Sequence, residues 1–180
     1  YWGEKGGITV SGGEALLQID FLIELFEKAH ARSINTSLDT SAQPFTRKGT
    51  WFAKFERLMK VTDTVLLDIK HIREDEHRKL TKFSNSNILD CARYLSDIQK
   101  PVWIRHVLIP KLTDNDAYLH ELAAFLKTLH NIERIDILPY HTLGTYKYEE
   151  LHIDYPLKGI EPPTQERIDN ANRIMESVLK

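Results

Sequence analysis

Five short apolar runs along the chain each end in a group of polar residues. They are ITVSGGE (8–14), INTSLDT (34–40), TVLLDIK (64–70), VWIRH (102–106) and IDILPYH (135–141). Runs of this length, bounded by charged and turn-forming residues, are typical of buried β-strands. The pattern therefore predicts five strands, each with polar side chains at its end.

Helical periodicity fills the intervals between these strands. Helices are expected at residues 15–31, at about 51–60, twice within 73–99, at about 115–129 and up to residue 179, with a long polar loop at 141–161. The apolar face of the first helix is predicted to contain Leu17, Phe21, Leu22, Leu25 and Phe26. Strands that alternate with helices predict a parallel sheet, and the lack of a linker predicts one domain over residues 1–180.

The distribution of the polar strand ends favours a barrel over an open nucleotide-binding sheet. No G-x-G-x-x-G or P-loop sequence occurs, whereas chemistry-bearing residues follow all five strands. Five strand–helix units are too few for an eight-fold barrel, so we expect an α/β fold that forms a partial (β/α) barrel, open on one side. The carboxyl ends of its strands should gather Glu14, Asp39, Asp68, Lys70, Arg105 and His141 into one pocket.

Composition and charge narrow the classes of partner. With 28% charged residues and a net charge of −2, the chain gives no electrostatic reason to expect binding to nucleic acid or to an anionic membrane. No apolar run approaches the roughly 20 residues of a membrane span. The lone cysteine, Cys91, is expected in the core and fits a reducing, cytoplasmic compartment. The first residues, YWGEKGGI, lack Met and run directly into a strand, from which we expect a fragment of a longer domain.

The first polar strand end, Gly12-Gly13-Glu14, has two interpretations. Two glycines let a backbone approach a ligand closely, and free N–H groups at the start of a helix can bind a polar group. Taken alone, the simpler interpretation is a tight turn with an acidic residue in the first helical turn, where the helix dipole favours it.

The charged strand ends carry the remaining chemistry. Asp39 and Asp68 each close an apolar run, and together they could bind a cation or an ammonium group. Lys70 could contact a carboxylate or act as a Schiff-base amine, although all three residues also suit a structural salt-bridge network. Arg105 requires an anion or a carbonyl partner if it is buried, and His141 could hydrogen-bond a ligand or transfer a proton.

Several segments, in this order and spacing, resemble the pyruvate formate-lyase activating enzymes of the radical S-adenosylmethionine superfamily. They are ITVSGGEALLQ, SLDTS, VTDTVLLDIK, PVWIRHVLIP and IDILPYHTLGTYKYEEL, and the resemblance covers essentially the whole chain. It implies about five units of a partial (β/α)6 barrel that holds S-adenosylmethionine and a 4Fe-4S cluster. The implied activity is reductive cleavage of S-adenosylmethionine to a 5′-deoxyadenosyl radical, which takes hydrogen from a glycine of a partner glycyl-radical enzyme. A flavodoxin-like protein is the implied reductant.

The resemblance also implies roles for particular residues. Gly12, Gly13 and Glu14 are similar to the family's GGE motif, which meets the amino group of S-adenosylmethionine. Asp39 and Lys70 resemble its contacts to the amino-acid end, and His141 resembles its contact toward the ribose. A monovalent-cation site is implied around Asp39, Thr40, Asp68 and Ile69, and Arg105 resembles a residue near the bound glycyl loop.

Two departures from the family limit what this chain is expected to do. The family's CxxxCxxC cluster motif is absent, because Cys91 is the only cysteine, so the chain alone is expected to be inactive. Ala42 stands where the family often has glycine, which predicts a slightly different loop. The missing motif also keeps open a Schiff-base lyase that uses Lys70 and a peptide-binding module at Arg105 and His141. As a fragment, the chain would expose its first strand to pairing with another copy.

Overall fold

The computed structural model describes residues 6–179, and five parallel strands form its one sheet in that part of the chain. The strands are β1 (Gly7–Val10), β2 (Asn35–Thr40), β3 (Thr64–Asp68), β4 (Val102–Leu108) and β5 (Ile132–Pro139). They lie side by side in chain order, and each neighbouring pair is parallel. The predicted α/β class and parallel sheet are confirmed.

Helices connect consecutive strands and follow the last one. They are α1 (Ile19–His30), α2 (Gly49–Met59), α3 (Glu74–Thr81), α4 (Ser86–Asp97), α5 (Asp116–Leu126), α6 (Thr145–Glu150) and α7 (Gln165–Glu176). The segment 141–161, expected to be a loop, therefore contains the short helix α6. Within residues 6–179, no helix is both long and apolar enough to cross a membrane.

The prediction of the apolar face of the first helix was wrong in part. Leu17 and Phe21 are 74% and 57% exposed, whereas Leu22 and Phe26 are buried as expected. A 3-10 turn at Ala15–Gln18 precedes α1, so the helix does not run evenly from residue 15. The buried face instead starts one residue earlier, at Leu16. The predicted face and the observed face both consist of apolar residues in the sequence. Periodicity alone therefore could not choose between them.

Alternation along the strands separates a core face from an open face. Leu38, Leu67 and Ile104 point into a core that they share with helix residues, among them Phe26 and Leu95. Successive strand residues point to opposite faces, so the intervening positions form a second, less buried face. Asp39, Asp68 and Arg105 occupy such intervening positions, and Asp68 lies opposite Arg105 in the parallel register of β3 and β4.

The expected position of Cys91 is confirmed, since its side chain is buried in the core. Trp51 and Phe55 stack at a centroid distance of 5.4 Å, and both rings contact Phe45 edge-on. This aromatic cluster packs α2 against the loop that follows β2.

Candidate functional site

A cavity of about 520 Å³ lies at the carboxyl ends of the first four strands. We call it the polar cavity. The predicted site residues that line it are Gly12, Gly13, Glu14, Asp39, Thr40, Asp68, Lys70 and Arg105. The structure thus brings together residues that are up to 93 positions apart in sequence, since Gly12 and Arg105 both line this cavity. Ile69 is buried and His141 is exposed, and neither is among the lining residues.

Glu14 connects the loop after β1 to the loop after β2. Its Oε1 accepts hydrogen bonds from the Leu16 amide (3.0 Å) and the Thr40 hydroxyl (2.5 Å). Its Oε2 accepts hydrogen bonds from the amide (3.0 Å) and the hydroxyl (2.6 Å) of Ser41. The carboxylate therefore faces the protein itself, although Glu14 also lines the polar cavity.

The other four charged residues form one ion-pair network. Arg105 Nη1 donates to Asp39 Oδ2 at 2.6 Å, and Arg105 Nε lies 3.7 Å from Asp68 Oδ1. Lys70 Nζ donates to Asp68 Oδ2 at 2.5 Å. Arg105 thus has the anionic partners that its position inside an apolar strand required. The buried Asp68 Oδ1 has no hydrogen-bond partner.

The residues of the predicted cation site are near one another, but two of their oxygens already make hydrogen bonds within the protein. The Thr40 hydroxyl already donates to Glu14. The backbone carbonyl of Ile69 accepts a hydrogen bond from His106 Nδ1 at 2.8 Å. Residues 6–179 contain no group of three or more His, Cys, Asp or Glu side chains that could hold a metal ion. A monovalent-cation site at this position stays a prediction.

A second cavity of about 470 Å³ adjoins the polar cavity and shares Lys70 and Thr81 with it. Its other lining residues are Leu80, Val107, Ile109, Tyr148, Tyr155, Pro156 and Leu157, and we call it the apolar cavity. The hydroxyls of Tyr140 and Tyr155 lie 2.7 Å apart, and burial together with this hydrogen bond raises the pKa of Tyr155 to about 12. That contact ties the 141–161 segment to the end of β5.

Sequence reasoning missed the contribution of α3 to the polar cavity. His77, Thr81 and Phe83 line it, and the buried His77 donates from Nδ1 to the Phe83 carbonyl at 2.9 Å. The charged residues of the sequence REDEHRK (73–79) are typical of a solvated helix face. His77 is buried, whereas most of the residues around it in this segment are exposed. The less polar residues Leu80 and Thr81, shortly after it, were the sign in the sequence that this helix has a buried side.

Cysteine ligation of a 4Fe-4S cluster does not fit this chain. Such clusters are held by several thiolates, and Cys91 is the only cysteine of the sequence. Its side chain is buried in α4, where burial raises the pKa of the thiol and disfavours the thiolate that binds metal. The residues of this chain alone therefore do not supply the thiolates that such a cluster needs.

Comparison with known proteins places these features in a family. The profile of the Radical SAM superfamily matches residues 1–123. The pyruvate formate-lyase-activating enzyme of Streptococcus mutans serotype c is 56% identical over 177 residues, which are 98% of this chain and 67% of that protein. The enzyme of the same name from Listeria monocytogenes serovar 1/2a is 50% identical over 178 residues, which are 98% of this chain and 72% of that protein.

Solved structures support the same fold. A crystal structure of a domain of pyruvate-formate lyase-activating enzyme from Bacteroides vulgatus ATCC 8482 superposes with a TM-score of 0.78. The match covers 96% of this chain and 94% of that one at 22% sequence identity. At that identity the likeness bears on the fold alone, and it confirms the predicted partial barrel. The matched sequences show that the chain belongs to the radical SAM superfamily and, within it, to the family of pyruvate formate-lyase-activating enzymes.

Proposed function

We propose that this chain forms the S-adenosylmethionine-binding part of an enzyme that installs a glycyl radical on a partner enzyme. Family membership supports the use of S-adenosylmethionine and of a 4Fe-4S cluster. It also supports a partner of the pyruvate formate-lyase type. The chain spans about two thirds of its Streptococcus mutans relative, and it carries one cysteine. By itself it should therefore bind the ligand without reacting.

The observation that carries this proposal is the pair of adjoining cavities, one polar and one apolar. S-adenosylmethionine has a zwitterionic amino-acid end and a flat nucleoside end. Besides Glu14, the polar cavity offers two carboxylates, a lysine and an arginine, and the apolar cavity beside it offers aliphatic and tyrosine side chains. Lys70 lies on the boundary of both. A ligand with a charged group at one end and a flat aromatic ring at the other would fit such a pair of cavities.

The walls of the polar cavity fit the amino-acid end of the ligand. A Cβ added at Gly12 or Gly13 would meet no atom within 4 Å, so the backbone there is open to close approach. Asp68 Oδ1 is buried without a hydrogen-bond partner, which leaves an acceptor for an ammonium group or a cation. Lys70, now paired with Asp68, would bind the ligand carboxylate, and Asp39 would face the ammonium group.

Other residues would serve the ribose and the partner. His141 is exposed on the segment beyond β5, from which it would reach the ribose when the ligand binds. Arg105 would contact the loop of the partner that carries the target glycine. When bound, S-adenosylmethionine would supply, through its one-electron reductive cleavage, the radical that removes a hydrogen atom from that glycine. The full-length enzyme would provide the electron, with a flavodoxin-like protein as the donor. The residues of this chain bind and orient the two reactants.

Isothermal titration calorimetry with S-adenosylmethionine tests the proposal on the 180-residue chain. Lys70→Gln removes one charged hydrogen bond to the ligand, so we expect the affinity to fall about tenfold or more. Lys54→Gln is the matched control, because Lys54 also pairs with an aspartate, Asp20, at 2.8 Å but lies outside both cavities. Absence of binding to the unmodified chain at millimolar ligand would refute the proposal, as would equal affinities of the two variants.

A further inference from the structure

We infer that Glu14 is a positioning residue whose carboxylate fastens the loop after β1 to the loop after β2 and binds no ligand itself. The family resemblance places the GGE segment at the ligand's amino group. The geometry instead assigns that contact to the backbone of Gly12 and Gly13 and to Asp39. The side chain of Glu14 would act through the loop that it holds.

The hydrogen bonds of Glu14 leave its carboxylate no free acceptor position. An ionised carboxylate has about four lone-pair positions and no donor. Leu16 and Thr40 fill the two at Oε1, while the amide and hydroxyl of Ser41 fill the two at Oε2. Two of these contacts, at 2.5 and 2.6 Å, have the short O–H···O⁻ length of charge-assisted hydrogen bonds. A ligand ammonium group could reach Glu14 only by displacing one of these donors.

The same bonds continue into the backbone of the loop after β2. The Thr40 hydroxyl accepts from the Ala42 amide at 2.8 Å, and the Ser41 hydroxyl accepts from the Gln43 amide at 3.3 Å. Because each hydroxyl has one proton, donation to Glu14 leaves its lone pairs to these amides. The chain turns sharply here, since Ala42 has a φ of +53°. Glu14 thus anchors a hydrogen-bonded loop of four residues.

This anchor sets the geometry of the polar cavity. Gly12 and Gly13 directly precede Glu14, and Asp39 directly precedes the hydroxyl residues that it holds. Two walls of the cavity are therefore joined by one side chain. A glutamine has only one acceptor oxygen, so it could not accept from the amides of both Leu16 and Ser41. A carboxylate is required at this position for the loop, independently of any charge on the ligand.

Nuclear magnetic resonance of the ligand-free chain tests this inference. In the unmodified protein, the amides of Leu16 and Ser41, which donate to Glu14, should be protected from exchange with solvent. In Glu14→Gln the Ser41 amide should exchange with solvent about tenfold faster or more. If both amides behave alike in the two proteins without ligand, Glu14 is not an anchor. Unprotected Leu16 and Ser41 amides in the unmodified protein would overturn the inference even if the variant does not fold.

A second experiment measures how two variants bind S-adenosylmethionine, and it includes a matched control. Only this experiment rests on the proposed function. Asp63 makes a similar tie at the opposite end of β2, where its Oδ2 accepts a hydrogen bond from the Thr36 amide at 2.8 Å. Asp63→Asn should leave the affinity for S-adenosylmethionine unchanged, whereas Glu14→Gln should lower it about tenfold. Equal affinities of Glu14→Gln and Asp63→Asn for S-adenosylmethionine would overturn the positioning role of Glu14. If the unmodified chain binds no S-adenosylmethionine, the proposed function fails, and the ligand-free spectra still decide the inference.

Discussion

At the scale of single residues, Gly13 offers the most direct test of ligand approach. A methyl group at Gly13 meets no protein atom within 4 Å, and Gly13 lines the polar cavity. Gly13→Ala should therefore fold normally, with stability unchanged or raised by about 0.4–1 kcal/mol through the unfolded chain. The added methyl would crowd a bound ligand, so the affinity of the Gly13→Ala variant for S-adenosylmethionine should fall about tenfold. Calorimetry and thermal unfolding measure the two effects separately.

Gly144→Ala is the control for that substitution. Gly144 also has open space around an added Cβ, and its φ of −97° suits alanine. It lies before α6 and lines neither the polar nor the apolar cavity. The control should bind as tightly as the unmodified chain. Unchanged binding by Gly13→Ala would mean that no ligand approaches the glycine backbone.

Sequence alone could predict which residues gather at the strand ends but not what they bind. Alternation along β3 and β4 places Asp68 and Arg105 on one face, because the period of a strand is two residues. The four donors around Glu14 depend on the conformation of the loop after β2 and on two hydroxyl rotamers. Neither is encoded in a local pattern. The exposed position of His141 likewise depends on how the segment after β5 folds back.

At the scale of elements, the end of α3 has a correctable strain. Lys82 caps this helix with a φ of +70°, a conformation that favours glycine. Its side chain is exposed and contributes one long contact to a backbone carbonyl, at 3.4 Å. Lys82→Gly should therefore raise the free energy of unfolding by about 1 kcal/mol, which urea denaturation would measure.

Lys60 provides a control of opposite sign for Lys82. It caps α2 with a right-handed φ of −67°, so glycine gains nothing there and adds entropy to the unfolded chain. Lys60→Gly should lower the free energy of unfolding by about 0.5–1 kcal/mol. The same sign for both substitutions would contradict the account of the α3 cap. Sequence could not anticipate this strain, because a lysine at a helix end is ordinary and its φ is set by the turn into α4.

At the scale of the whole molecule, the predicted order of strands and helices holds because each apolar run is short and each interval is long enough for a helix. The exceptions, the 3-10 turn before α1 and the helix α6, lie where apolar residues are exposed. Leu17 and Phe21 near α1, and Leu143 and Leu151 around α6, are solvent-facing in residues 6–179. Burial drives the pattern that sequence analysis uses, so exposed apolar residues mislead it.

Two buried imidazoles also make the stability of the whole molecule depend on pH. Burial lowers the pKa of both His71 and His106, and for His106 the nearby His71 and Lys70 lower it further. Below the ordinary histidine pKa of about 6.5, the unfolded chain takes up protons that the folded chain resists. The contribution of these two histidines to the free energy of unfolding should be constant above about pH 7.5 and should fall below about pH 6.5, by up to about 1.4 kcal/mol per pH unit for each histidine.

Urea denaturation between about pH 7.5 and 5.5, where most carboxylates stay ionised, would measure this slope. His106→Asn removes one titrating group, and its amide can still donate to the Ile69 carbonyl that His106 Nδ1 contacts at 2.8 Å. This variant should therefore lose up to half of the slope, while its stability at pH 7.5 falls by the cost of a smaller buried side chain. A free energy of unfolding that is the same at pH 7.5 and 5.5 in the unmodified chain would mean that both imidazoles protonate freely in the folded state.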